Sequence, residues 1–457
     1  MASPNLFIAR HSIKRVCALH SLNRDFTLLE DGDLVERHVG GQLVLEAVNL
    51  DELAVEFLLV AVELHEALLP LLLEQADQRF QVTGDLCLDG SGFLRICHEL
   101  HMLLIVDGDY FVVLAFEHGL LKGKKRIRLE VLKYFCEETP EYAVAAAGSL
   151  LGLALHKDIS FPVGKVDSMN MYPLSFREFL MAMGENQLAA VLTESDTGLI
   201  NDFHGTYSYW LKNYMYVGGM PEIVKYFSEH KNYEEVRAMQ NQILADYEDD
   251  FGKHIPKEQL PKVRLVWNSI PLQLAKENKK FFFGKIKEGA RAKDFEEAIE
   301  LLKDCGLITK VQKVSKPAVP LKTYADFAAF KLYFVDVGLL GAHAGLDASS
   351  ILDGNKLFVE FKGAITEQYV LQQIVSDTKN IPYYYSGEKA TYELDFLIQK
   401  NGELVPIEVK AGENLRSKSL TFFREKYGNK TAVRFSLAKM CVQDWLLNLP
   451  LYAVARL

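Results

Sequence analysis

The chain has 457 residues, of which 49% are hydrophobic and 25% charged, and its formal net charge is −10. These values fit a globular chain of roughly two to four domains and exclude a wholly basic nucleic-acid coat. Six cysteines without one Cys-x-x-Cys pair speak against a disulfide framework and lead us to expect a reduced, cytoplasmic setting.

Residues 1–121 differ in composition from the rest. Lys14 is the one Lys before Lys122, and Tyr110 is the first of 20 tyrosines. His11, His20, His38, His65, His98, His101 and His118 all fall here, although the chain has only 12 His. A shift this sharp marks a boundary, which we set at residue 128. The apolar run 53–73 is interrupted by Glu56, Glu63, His65 and Glu66, so no membrane partner is expected. Cys87, Cys97, His98 and His101 have no standard zinc spacing. Leu103–Asp107 reads as an apolar strand with a polar, solvent-facing end. A phosphate-cradling G-x-x-x-x-G-K-[ST] loop is absent, since the nearest stretch, Gly119 to Lys125, has the wrong spacing and no Ser or Thr.

Residues 122–128 are basic and read as a solvated junction. A helix is expected from 129, then an apolar strand Tyr142–Ala147, with Ser149 just beyond it. Residues 172–255 read as largely helical, with Val-Gly-Gly-Met-Pro at 217–221 as punctuation, a Gly ending one helix and Pro221 starting the next. Residues 256–345 give helix, helix, hairpin, the winged-helix pattern. Asp294 and Glu297 have capping-box spacing, Gly306 is a stop, and Leu307–Val314 and Lys331–Val335 are strand-like. The helix at 294–305 carries Glu297, Glu300 and Asp304, poor residues to face DNA phosphates.

In residues 346–457, the stretch 364–374 reads as a helix with Glu367 inside the apolar stripe of Ala364, Val370, Leu371 and Ile374. Tyr383, Tyr384 and Tyr385 suit a strand with alternating burial. Asn401-Gly402 is a strong type I′ hairpin signal. A two-residue loop sets Lys400 against Glu403, Ile398 against Val405 and Asp395 against Glu408, the last as a close pair with Cα atoms about 4.5 Å apart. Two opposed carboxylates repel, and a divalent cation between them, Mg²⁺ or Mn²⁺, would relieve the repulsion. Lys410 points to the same face as Glu408. Arg416 and Lys418 follow, in reach of a phosphate.

A helical Glu, a strand Asp and a Glu-x-Lys on the next strand resemble the PD-(D/E)XK restriction-endonuclease-like fold, although no Pro precedes Asp395. The resemblance implies Glu367, Asp395 and Glu408 as Mg²⁺ ligands and Lys410 as the catalytic residue of phosphodiester hydrolysis. Leu-Lys-Tyr-Phe-Cys-Glu-Glu-Thr-Pro-Glu-Tyr (132–142), Ala-Gly-Ser-Leu-Leu-Gly (147–152), Phe-Pro-Val-Gly-Lys-Val (161–166), Tyr-Pro-Leu-Ser-Phe-Arg-Glu-Phe-Leu (172–180) and Val-Gly-Gly-Met-Pro-Glu (217–222) resemble a family of bacterial and archaeal AAA-type ATPases with a C-terminal nuclease-like domain. That likeness covers about 130–435. It implies an α/β multidomain chain: a partial P-loop ATPase remnant with a helical lid at 129–255, a winged helix at 256–345 and a nuclease-like domain at 346–457. It sets Ser149 as the sensor of a γ-phosphate and implies ATP as cofactor, for which residues 1–128 supply no cradle. Either another small domain replaces the nucleotide-binding half there, or a frameshift or gene rearrangement has replaced its native reading. The missing Lys and Tyr favour the second. Three functions follow as expectations: a metal-dependent phosphodiesterase acting on DNA, a non-catalytic nucleic-acid or protein-binding module, and an ATP-binding AAA-type ATPase if the native N-terminus is restored.

Overall fold

A computed structural model describes residues 5–9, 102–107, 110–115, 137, 145–148, 164–193, 197–276, 278–348, 359–378, 380–387, 392–413 and 416–457. Two compact units divide the chain, Ser3–Met171 and Tyr172–Leu457. The expected features at 53–73, 119–128 and 149, and the Cys and His residues between 87 and 101, lie outside the described residues.

In the first unit, β1 (Asn5–Ala9) runs antiparallel between β4 (Ala145–Gly148) and β5 (Val166–Asn170). β4 is the strand expected at 142–147, shifted by a few residues. The stretch Leu103–Asp107 falls in β2 (Met102–Asp107), which pairs antiparallel with β3 (Tyr110–Ala115).

The second unit opens with helices. They are α1 (Phe176–Ala182), α2 (Asn186–Val191), α3 (Thr197–Asp202), α4 (His204–Val217), α5 (Pro221–His230), α6 (Tyr233–His254), α7 (Leu260–Leu274), α8 (Ala292–Asp304) and α9 (Val337–His343). Ser175 caps α1 with a full capping box, since its side chain takes the Glu178 N–H while Glu178 takes the Ser175 N–H. Gly218 ends α4 at φ 79° and Pro221 opens α5, as the sequence implies. Gly306 (φ 70°) stops α8 as expected, but α8 begins at Ala292. Asp294 is therefore the third helical residue rather than the cap, and its carboxylate accepts the Arg291 N–H at 3.2 Å.

An eight-stranded sheet follows, in the order β12-β13-β11-β10-β9-β8-β6-β7. Its strands are β6 (Ile308–Val314), β7 (Ala325–Phe334), β8 (Tyr383–Ser386), β9 (Glu393–Lys400), β10 (Glu403–Val409), β11 (Ala432–Ser436), β12 (Cys441–Gln443) and β13 (Leu446–Pro450). The β6–β7 hairpin is the one expected of a winged helix, but β6 also pairs parallel with β8 through Lys313 and Tyr384. The hairpin is thus the edge of the C-terminal sheet, within the compact unit Tyr172–Leu457. The three tyrosines of β8 are all buried, because both faces of the sheet are covered there. They are not available to stack on bases.

Two helices flank β8–β11. α10 (Val359–Asp377) precedes β8, and α11 (Lys418–Tyr427) connects β10 to β11, which lie parallel. Leu420 and Phe423 of α11 pack with Tyr383, Tyr385, Leu394 and Leu397. Ala364, Val370, Leu371 and Ile374 of α10 are buried as the stripe predicts, and so are Gln368, Gln372 and Gln373. Those amides bind backbone. Gln368 accepts the Phe334 N–H and donates to the Phe334 carbonyl, both at 2.8 Å, Gln372 accepts the Val337 N–H, and Gln373 accepts the Phe176 N–H. Polar groups buried at this density hold only because each is paired.

No helix among the described residues is long and apolar enough to cross a membrane.

Candidate carboxylate–lysine site

The hairpin turn forms as its sequence requires, with Asn401 at φ 52° and Gly402 at φ 79°. The ladder runs from Lys400–Glu403 through Ile398–Val405 to Phe396–Ile407 and ends one pair short of Asp395–Glu408. The reason lies on the other edge of β9. Tyr383 pairs with Leu397 and Tyr385 with Leu394, so β9 carries one extra residue between them, a bulge that re-aims Asp395. Its carboxylate accepts the Val409 N–H at 2.7 Å.

Glu367 projects from α10 toward β7 and β9 and is buried. One carboxylate oxygen takes the ammonium of Lys279, which comes from the connection between α7 and α8. The other lies 3.2 Å from the Tyr333 hydroxyl, which donates to it, and 3.9 Å from Lys331 Nζ. Lys331 and Tyr333 are two residues apart on β7 and so share a face. Lys331 is 1% exposed, pairs with Glu393 at 2.6 Å and lies 5.0 Å from the centre of the Tyr384 ring.

Burial alone would raise the Glu367 pKa, but Lys279 and then Lys331 outweigh it and hold the group below its ordinary value. Asp395 moves the other way. Burial first, and the neighbouring Glu367 second, push it up to about 8 against Lys331, Lys279 and the Val409 N–H. The pair therefore resolves into an ionised Glu367 and a protonated Asp395, as two close carboxyls must when one is better neutralised. Lys331 sits above its ordinary value because Glu367, Glu393 and Asp395 overcome the effect of burial.

Glu408 and Lys410 form a second group. They pair at 2.6 Å, and the other Glu408 oxygen is buried without a hydrogen-bond partner. Arg434, fully buried on β11, stands beside Glu408 in the parallel register and bonds Asn448 at 2.9 Å.

The elements thus bring Glu367 to Asp395, and Glu408 to Lys410. No group of three His, Cys, Asp or Glu side chains among the described residues is placed to hold a metal ion. The expected Mg²⁺ or Mn²⁺ fits these residues poorly as they stand. Lysines and Tyr333 occupy Glu367, and one oxygen of Asp395 accepts a backbone N–H. Only the free oxygen of Glu408 has the character of an unfilled ligand. Ser149 lies outside the described residues.

Lys279, Lys331, Tyr333 and Glu393 were not among the sequence candidates. Lys331 left a signal, a lone Lys inside the apolar run Phe-Ala-Ala-Phe-Lys-Leu-Tyr-Phe-Val (327–335), where a charge needs a buried partner. Lys279 left none, since it sits in a run of lysines.

The proton on Asp395 has a consequence for stability. The unfolded chain releases it near the ordinary carboxyl range, while the folded protein keeps it to about 8. In that window the folded state binds more protons, so this contribution is complete below the window and is lost as pH rises through it. Glu367 acts oppositely, contributing above its ordinary range and losing the contribution in acid. Asp395→Asn keeps an oxygen for Val409. Its melting temperature is expected to match wild type near pH 5 and to exceed it by roughly 2–4 °C near pH 9. Thermal melts of both proteins at the two pH values check this, and an equal gap at both would remove the assignment of the proton to Asp395.

Residues 127–180 match the family model of an AAA domain. Residues 208–350 match a domain of unknown function (DUF8612), and residues 362–452 match another (DUF4143). The AAA and DUF4143 matches support an AAA-type ATPase-like family. No curated protein and no solved structure matches the chain.

Proposed function

We propose that this member of an AAA-type ATPase-like family carries a PD-(D/E)XK-like C-terminal domain that serves as a non-cleaving binding module for DNA. The observation that carries this reading is the neutralisation of Glu367 by Lys279 and Lys331, cations supplied by the chain itself. The order helix α10, strands β8, β9 and β10, helix α11 and parallel strand β11 supports the nuclease-like part of the reading. Support for DNA comes from Lys410, about one-third exposed, followed by exposed Arg416 and Lys418. ATP turnover has no place in the reading, because the sequence lacks the G-x-x-x-x-G-K-[ST] motif of a phosphate-cradling loop.

A second reading, a metal-dependent phosphodiesterase with Lys410 as catalytic residue, is favoured by one observation, the unpartnered buried oxygen of Glu408 beside Lys410. Incubation of the full chain with single- and double-stranded DNA and Mg²⁺ or Mn²⁺ separates the two. We expect retention of DNA without strand breaks. Cation-dependent cleavage that Lys410→Ala abolishes would put the phosphodiesterase first, and failure to retain either DNA would remove DNA as the partner.

A further inference from the structure

The connection between α7 and α8 concentrates positive charge in a chain whose net charge is −10. Residues 276–293 hold seven Lys or Arg against two Glu. Lys279 turns inward to Glu367, and it is the one cation of the seven with an ion pair among the described residues. Lys280, Lys285, Lys287 and Lys293 are exposed or half-exposed. The Lys276 ammonium nitrogen is buried without a hydrogen-bond partner, and burial first and Lys285 second lower its pKa. Like charges repel there, and an incoming anion would relieve them. The strip ends where α8 turns acidic, at Asp294, Glu296 and Glu297.

This connection is laid along β7. The Phe281 N–H bonds the Phe330 carbonyl at 2.8 Å, the two rings stack at 5.5 Å, and the Phe283 ring meets Phe330 edge-on at 6.1 Å. Phe282, between those two inward rings, is 41% exposed, with Lys280 Nζ 6.0 Å from its ring centre. On β7 the register against β6 passes from Phe330–Gln312 to Asp326–Lys313, so residues 327–329 loop out of the ladder. Phe327, in that bulge, is 75% exposed. Each of the two segments joined by the Phe281–Phe330 bond thus presents one phenylalanine to solvent, within three residues of the bond, beside the lysines.

We propose that this strip is the surface on which the module holds DNA, and that the form it fits is a single strand. The lysines take backbone phosphates, while Phe282 and Phe327 stack on unpaired bases. The inference rests on the DNA-binding reading above and names its surface and strand type. A duplex keeps its bases paired and stacked, so it offers phosphates to the lysines and no base face to a phenylalanine. A single strand offers both, and every base has a face that an aromatic ring can cover. An acidic polypeptide meets the lysines but leaves the rings in water.

The test is fluorescence anisotropy with a labelled oligothymidylate and with a duplex of the same length, over a series of salt concentrations. The proteins are full-length wild type, Lys280→Gln/Lys285→Gln/Lys287→Gln and Phe282→Ala/Phe327→Ala. Wild type is expected to bind the single strand about tenfold or more tightly than the duplex. The lysine variant should lose about tenfold in affinity, and its slope of log affinity against log salt should shrink by about 2, roughly 0.7 for each lost phosphate contact. The phenylalanine variant should lose about tenfold on the single strand, with its salt slope and its duplex binding unchanged. Both variants should melt as wild type does, because the altered side chains are exposed or half-exposed. A preference of wild type for the duplex, or single-strand binding by either variant that equals wild type, would overturn the strip. So would a fall in melting temperature that accounts for the lost binding, by making these side chains structural. Displacement of the oligomer by polyaspartate at equal charge would overturn it in favour of an acidic protein. If wild type retains neither form of DNA, the binding-module reading falls as well. If it retains DNA and both variants bind as it does, that reading stands on Lys410, Arg416 and Lys418, and only the strip is lost.

Discussion

Lys331→Met is expected to destabilise the unit 172–457 by about 3–5 kcal/mol, the cost of breaking a buried ion pair from one side. Lys331 is 1% exposed and lies between Glu393 at 2.6 Å and Glu367 at 3.9 Å. Met matches its stem in volume, so packing against Tyr384 is largely kept and the loss isolates the charge. Glu393 is 28% exposed and can turn to water, whereas Glu367 is buried and keeps Lys279 as its one cation, beside the Tyr333 hydroxyl. The loss should therefore fall mainly on Glu367. Adding Glu367→Gln to Lys331→Met should recover part of the stability, since the stranded charge goes with its carboxylate. Denaturant unfolding of the two variants checks this. A loss below about 1 kcal/mol, the range of an exposed pair, would mean that water reaches the cluster.

Asp336→Ala should be comparably damaging, at roughly 3–6 kcal/mol, from a residue with no part in the candidate chemistry. Asp336 caps α9, accepting the Gly338 and Leu339 N–H groups at 2.9 and 3.0 Å. Its other oxygen accepts the Gly219 N–H at 2.7 Å and the Gln372 amide at 2.9 Å. It thereby ties the turn between α4 and α5 to α9 and α10. Burial pushes its pKa up against these four bonds, which pull it down. Gly218 permits this approach, because a Cβ there would stand 2.1 Å from the Asp336 carboxylate, and Gly219 permits the close packing of Leu174, whose carbonyl would stand 2.3 Å from a Cβ on it. Ala leaves three backbone N–H groups buried without an acceptor. Asp336→Asn, which turns an amide donor toward donors, should recover little. The fall in the urea midpoint measures both, and a full recovery by Asn would mean that only shape matters there.

Several local features were legible in the sequence because they depend on neighbours along the chain. The type I′ turn at Asn401-Gly402 needs two residues that tolerate positive φ, and both adopt it. The Gly218 and Pro221 boundaries and the buried stripe of α10 follow from backbone freedom and helical period in the same way. The helix–strand–hairpin order that sets Glu367 near Asp395 was equally readable, since it is an order of periodic segments. The tertiary structure decided what those segments do together. Pairing of β6 with β8 turned an expected separate winged helix into the edge of one sheet, because edge hydrogen bonds are satisfied by whichever strand arrives, however distant in sequence. One extra residue in β9, visible only against β8, falls beside Asp395, and the β9–β10 ladder ends one pair short of Asp395 and Glu408. Lys279 and Lys331, distant from Glu367 in the chain, supply the charges that the sequence alone assigned to a metal ion. Charge compensation acts through space at a few ångströms, and the spacing of acids along a chain records nothing of which cations fold back onto them.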